Sequence, residues 1–258
     1  MPAMLGHVIP FALIPAGVAL VGGIVAAVRS PSPRVRTIIQ HFAAGIVAAA
    51  AAVELLPDAI SKHSPIALAI GFGAGTVAML GIAKVMERFE PEEGAEDHSH
   101  LVASEAFAHA VQRGAGPEGM LGAVGVDVLI DGLLLGLAFV AGQKAGILLT
   151  IGFSLEMLSL GLATCATCRK YRWSVIKSLF SVLGVGLLLV IGAGLAATVL
   201  QGLSGPPLGA VLAFGLAALL YLVTEELLVE AHEVRENTVT TAMFFVGFLV
   251  LLMVDVLT

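Results

Sequence analysis

The sequence predicts an all-α, polytopic integral membrane protein with eight transmembrane helices and both termini outside. Three observations lead there. Of 258 residues, 58 % are hydrophobic and only 12 % charged, with a mean hydropathy of +1.00; a soluble domain carries about 25 % charged residues and 45–50 % apolar ones. The apolar residues fall into runs of the length a bilayer requires, about 20 residues each. The basic residues are also unevenly shared. With the N-terminus outside, the inner connections and helix ends hold Arg29, Arg34, Arg36, Lys84, Arg88, Arg113, Arg169, Lys170, Arg172, Lys177 and Arg235. The outer side keeps only Lys62 and Lys144 of the 13 Lys and Arg. Lys and Arg gather on the cytoplasmic side, which fixes this orientation in the plasma membrane, the inner membrane of a bacterial cell.

The elements follow in order. The first run, 4–28, opens without a charged leader or cleavage site and reads as a span, not a signal peptide. Arg29-Ser-Pro-Ser-Pro-Arg34 separates it from a second helix at 38–60, and a third follows at 64–86. The connection 87–116 is acidic (Glu87, Glu90, Glu92, Glu93, Glu96, Asp97), then holds His98-Ser99-His100; it is expected to be cytoplasmic and partly disordered. The fourth and fifth helices, 117–142 and 146–167, are joined by a Gln143-Lys144 turn. The sixth and seventh, 176–200 and 207–230, are punctuated by Gly205-Pro206-Pro207, and the eighth, 238–257, starts after Asn237. The whole of 1–258 is one transmembrane domain. Glycine runs such as Gly71-Phe-Gly73-Ala-Gly75 and Gly132-Leu-Leu-Leu-Gly136 predict close helix packing. No internal repeat stands out. A net charge of −6 without a basic tract excludes nucleic acid as a partner. The lipid bilayer is the expected surrounding, and a homodimer is compatible with the pattern. Cys165-Ala-Thr-Cys168 lacks the second cysteine pair that a four-sulfur metal site needs and reads as small residues at a helix end.

The chemistry must lie with the acids inside the apolar runs, because an ionisable group at membrane depth is costly without a partner or a task. Glu54/Asp58, Asp127/Asp131 and Glu226/Glu230 are each spaced i, i+4, so each pair shares a helical face and repels itself. No arginine lies within these runs to neutralise them, which leaves protons or a mobile cation. A divalent ion suits several carboxylate oxygens best. Asp127, Asp131 and Glu156 fall near the middles of the fourth and fifth runs, which form a hairpin; this is the expected metal site. Thr150, Ser154 and Ser159 offer neutral oxygens, Ser159 best, since it is i+3 from Glu156. Glu225, Glu226, Glu230 and His232 lie at the inner end of the seventh run, where an inner ligand relay and a hydrated helix end explain them equally. Glu54 and Asp58, flanking Pro57 toward the outer side, form an outer relay or a solvated end. Asp255 reads as a solvated end, and His7 and His41 as packing or interfacial residues.

At these positions the chain resembles the ZIP family of divalent metal transporters. Glu54-Leu-Leu-Pro57-Asp58 is similar to that family's H-x-L-P-[DE] segment, and Asp127-Val-Leu-Ile-Asp131-Gly132 to its H-N-x-P-E-G. Leu155-Glu156-Met-Leu-Ser159 stands for [HQ]-[DE]-x-P-[HE]. The stretch Thr224-Glu225-Glu226-Leu-Leu-Val-Glu230-Ala-His232 stands for H-E-x-x-P-E-x-H. The resemblance implies a ZIP-like bundle, a metal centre between the fourth and fifth helices, a path lined by the second and seventh, and alternating access. Zinc is the family's usual substrate. Here imidazoles are replaced by carboxylates or lost, which favours harder ions such as manganese, magnesium or ferrous iron. The same losses fit a degenerate relative that binds metal as a sensor or subunit without transport. An enzyme is the weakest expectation. Gly202-Leu-Ser204-Gly205 matches the G-x-S-G of intramembrane serine proteases, but His232 would face the opposite side, and no nucleophile–base pair has workable spacing.

Overall fold

The computed structural model describes residues 2–29, 32–61, 64–88, 117–227 and 238–257, and every regular element among them is helical. Eight helices are long and apolar enough to cross a membrane. They are α1 (Pro2–Val28), α2 (Pro33–Ala50, continued through a π-helical turn, Ala51–Leu55, into Leu56–Ser61) and α3 (Pro65–Arg88). After residues 89–116, which hold most of the acidic connection and lie outside the described residues, come α4 (Pro117–Ala141), α5 (Gln143–Lys170) and α6 (Val175–Val199). The last two are α7 (Gly205–Tyr221, continued by a second π-helical turn, Leu222–Leu227) and α8 (Thr238–Leu257).

Local chemistry sets the boundaries. α2 starts at Pro33, five residues earlier than the apolar pattern suggests. Ser32 takes the extended N-cap conformation, and proline suits the first helical position, where its missing N–H has no partner to lose. The expected Gln143-Lys144 turn is corrected: Gly142 alone, in extended backbone, separates α4 from α5, and Lys144 belongs to the first turn of α5. Pro57 explains the π turn of α2. It cannot donate to the carbonyl four residues back, and its ring crowds that carbonyl, so the ladder widens and the Leu56 N–H donates to Ala51 O. The α5–α6 junction is a Schellman motif: the Trp173 N–H donates to Cys168 O (3.1 Å) and the Arg172 N–H to Arg169 O (3.0 Å). It forces Arg172 to a φ of 61°, where glycine is the usual occupant. The α6–α7 turn does use glycine, Gly202 (φ 87°) and Gly205 (φ 61°).

Four close pairs build the bundle, α1 with α5, α4 with α6, α2 with α8, and α3 with α7. Each pair is closed by glycines whose missing Cβ admits the neighbouring backbone: Gly161 faces Ala19, Gly132 faces Leu189, Gly45 faces Phe244 and Gly71 faces Ala210. Small residues do this work in membranes, where van der Waals contact replaces the hydrophobic drive between helices. The pairs combine into two four-helix groups, α1/α4/α5/α6 and α2/α3/α7/α8, which meet along α2–α5 and α4–α7. α5 is the most enclosed helix, with 67 % of its apolar window buried; α8 has 11 % and turns most of its surface outward.

The contact pattern contains a symmetry that the sequence hides. Exchanging α1, α2 and α3 with α6, α7 and α8, and α4 with α5, carries every close pair onto another, and α2–α5 onto α4–α7. It also carries the π-helical turn of α2 onto that of α7. Because α1 and α6 are an odd number of crossings apart, the two halves run in opposite directions, as in an inverted repeat.

Candidate functional site

The site is built on α5. Gly152 meets Val47 and Ile46 of α2, and Gly146 meets Phe139 of α4, which fixes where each neighbour lies around the helix. At about 100° per residue, Glu156 falls between those two directions, and Ser159 returns to the face of Gly152 that looks at α2. Both are buried, Glu156 to 8 % exposure and Ser159 to 2 %. The three expected neutral oxygens then separate. Thr150 donates its hydroxyl to Gly146 O (2.7 Å) and Ser154 to Thr150 O (2.6 Å), the usual back-bonding of hydroxyls within a helix. The Ser159 hydroxyl makes no hydrogen bond among the described residues.

α4 contributes Asp131, which is fully buried. Gly132 and Gly136 face α6, Leu134 and Leu137 reach Gly215 of α7, and Val126 and Leu133 form the exposed stripe. Asp131 lies opposite that stripe, on the side where α5 packs. Asp127, one turn earlier, is only partly buried. Among the described residues, no three His, Cys, Asp or Glu are arranged as a group that could hold a metal ion. Of the expected ligands, Asp131, Glu156 and Ser159 are buried and Asp127 is half-buried.

Sequence reasoning passed over Gln40. It lies seven residues before Val47 and hence on the same face of α2, and it is 5 % exposed. α2 and α5 cross at Val47 and Gly152 and run antiparallel, so seven residues along each, about 10 Å, bring Gln40 level with Ser159. His41 beside it is also buried, and its ring Nδ1–H donates to Thr37 O (3.0 Å). An amide with no acid within a dozen residues on its own helix carries no motif, and only the register of α2 on α5 exposes its place.

The remaining sites lie apart. Glu225 and Glu226 are on the π-helical turn of α7, which packs against the first stretch of α2. Glu230 and His232 lie outside the described residues. Asp58 is partly buried, past the π turn of α2. Glu54, inside that turn, departs from expectation, because a basic partner is present: Lys144 Nζ lies 3.7 Å from Glu54 Oε1 and 2.8 Å from Asp255 Oδ1. Asp255, expected as a solvated end, is instead tied by its side chain and by its carbonyl, which accepts from Lys144 Nζ at 2.9 Å. Cys165 and Cys168 are buried and not bonded to each other. No protein-family model matches the chain, and no curated protein matches it in sequence.

Proposed function

We propose that the protein is a divergent member of the ZIP family that carries a divalent metal cation across the plasma membrane by alternating access. One observation carries the reading: Glu156 and a Ser159 hydroxyl unbonded among the described residues share one buried face of the most enclosed helix, with Asp131 buried on the neighbouring helix. Carboxylates at membrane depth are expensive and mark ion paths. The inverted arrangement adds independent support, since carriers commonly place their site between inverted halves, on helices whose hydrogen-bond ladders are interrupted. Here the two interrupted helices, α2 and α7, flank the α4–α5 hairpin.

In this reading Asp131, Glu156 and Ser159 bind the ion from one four-helix group. Gln40 offers its amide oxygen from the other, and Asp127 stands at the partly exposed edge. Glu225 and Glu226, then Glu230 and His232, lead the ion to the inner side; Glu54 and Asp58 receive it on the outer side. An all-oxygen set takes manganese, magnesium or ferrous iron more readily than zinc. The metal is the substrate, not a resident cofactor. A ligand drawn from each group makes affinity depend on how the groups are placed, which alternating access requires.

Uptake of Mn²⁺ by liposomes loaded with a metal-sensitive dye tests the proposal. The purified protein should accelerate uptake, and Asp131→Ala with Glu156→Ala should abolish it; uptake by that variant at the parent rate refutes the assignment. The absence of a three-ligand group among the described residues favours a second reading, a metal-binding sensor or subunit. Saturable metal binding without uptake would establish that alternative.

A further inference from the structure

Lys144 stands at the first turn of α5, in the group α1/α4/α5/α6. Its ammonium reaches three oxygens, all in the other group: the Glu54 carboxylate on the π turn of α2, and the Asp255 carboxylate and carbonyl near the end of α8. The Asp255 carbonyl is one of the last four of α8, which have no donor within the helix, and a lysine there also suits the negative end of the helix dipole. These salt bridges join the two groups, and they lie at the end that carries the α4–α5 turn.

We propose that Lys144 is a strap that holds the two four-helix groups together at this end, and that it must release Glu54 and Asp255 before the site can open there. The argument is geometric. A residue cannot remain within ion-pair reach of two helices in one group while its own group moves away, so any motion that opens the seam between α5 and α2 at this end breaks all three contacts together. The seam leads to the face of α5 that carries Glu156 and Ser159, because Gly152 of that face is where α5 meets α2. The π turn suits the task. It places Glu54 where the ladder of α2 is already interrupted, so the carboxylate sits on a segment that shifts at lower cost than a regular helix. The strap is therefore the device that keeps the side assigned above as outer closed. It rests on that assignment for the word outer alone.

The test reads access directly, without metal. In a protein whose Cys165 and Cys168 are replaced by alanine, Ser159→Cys puts a reporter thiol on the buried face of α5. The protein is reconstituted in vesicles with the strap facing outward and treated with a membrane-impermeant thiol reagent. With Lys144 intact the thiol reacts slowly. With Lys144→Met it should react about fivefold faster or more, the span of an ordinary coupling between sites. The charge exchange Lys144→Asp with Asp255→Lys should restore slow reaction. Equal rates with and without Lys144 overturn the strap. If Lys144→Met does not yield folded protein, the pair Lys144→Cys with Asp255→Cys decides: oxidation of the two introduced thiols should slow the reporter's labelling, and reduction should restore it, whereas labelling indifferent to oxidation overturns the proposal. A protein that shows these access changes but carries no ion sinks the transport reading and leaves the strap standing.

Discussion

Replacing Ser159 with alanine separates a ligand from a packing residue. The serine hydroxyl is 2 % exposed and makes no hydrogen bond among the described residues. Leaving such a group buried and unbonded costs roughly 1–3 kcal/mol. Alanine removes the hydroxyl and leaves a gap no larger than one oxygen. It also favours the helix by about 0.5 kcal/mol. In the absence of metal, Ser159→Ala should therefore be more stable than the parent by about 1–3 kcal/mol, an unusual sign for a substitution in a packed interior. If the hydroxyl serves as an oxygen ligand, the same change should weaken Mn²⁺ binding by about tenfold, or ~1.4 kcal/mol. The two effects oppose each other and can be measured together. The chain has a single tryptophan, Trp173, whose fluorescence reports thermal unfolding in detergent across a Mn²⁺ series. Ligand that binds only the folded state raises stability by mass action, so the variant should melt higher than the parent without metal and gain less from it. Thr164 supplies the control: its buried hydroxyl also lacks a partner among the described residues, but it lies two turns beyond Glu156. Thr164→Val should stabilise without altering the Mn²⁺ response. A Ser159→Ala protein that melts lower than the parent without metal, or gains as much from Mn²⁺, would refute the reasoning.

Other substitutions test the frame. Arg172→Gly should raise stability by about 1 kcal/mol, because the Schellman turn holds this position at a φ of 61°; a fall in melting temperature would contradict it. Gly161→Val pushes side-chain atoms into the backbone of Ala19 and should cost about 3 kcal/mol or more, seen as loss of monodisperse protein on size exclusion; Gly184, with open space at its Cβ, should tolerate alanine. Ser204→Ala should leave Mn²⁺ uptake unchanged, whereas a serine hydrolase would lose all activity with it.

The fold was legible where its cause is local. Each span announces itself because a bilayer demands about 20 apolar residues; Pro117 and Pro65 open helices at or beside the expected starts, whereas Pro33 opens α2 ahead of the apolar pattern because its N–H is dispensable there. The glycines foretold close packing, but not which helices meet, since a stripe of small residues does not name its partner. The inverted arrangement left no visible repeat because pairing needs only small residues at the crossings, a demand that Gly45, Gly71, Gly132 and Gly161 meet in unrelated surroundings. Of the residues proposed for the site, some were legible as a chemical type. Glu156, Ser159 and Asp131 stood out as polar groups in apolar runs, and the structure buries all three. Gln40 did not, because its place opposite α5 depends on how α2 lies across that helix. Lys144 did not either: Asp255 is 111 residues away along the chain, and a lysine beside a predicted turn looks like an ordinary solvated charge.

Anomalous diffraction from crystals soaked in Mn²⁺ tests the metal site most directly. A peak between α2, α4 and α5, bounded by Asp131, Glu156 and Ser159, is the expected result. Strong manganese density elsewhere in the protein with none at that point would contradict it.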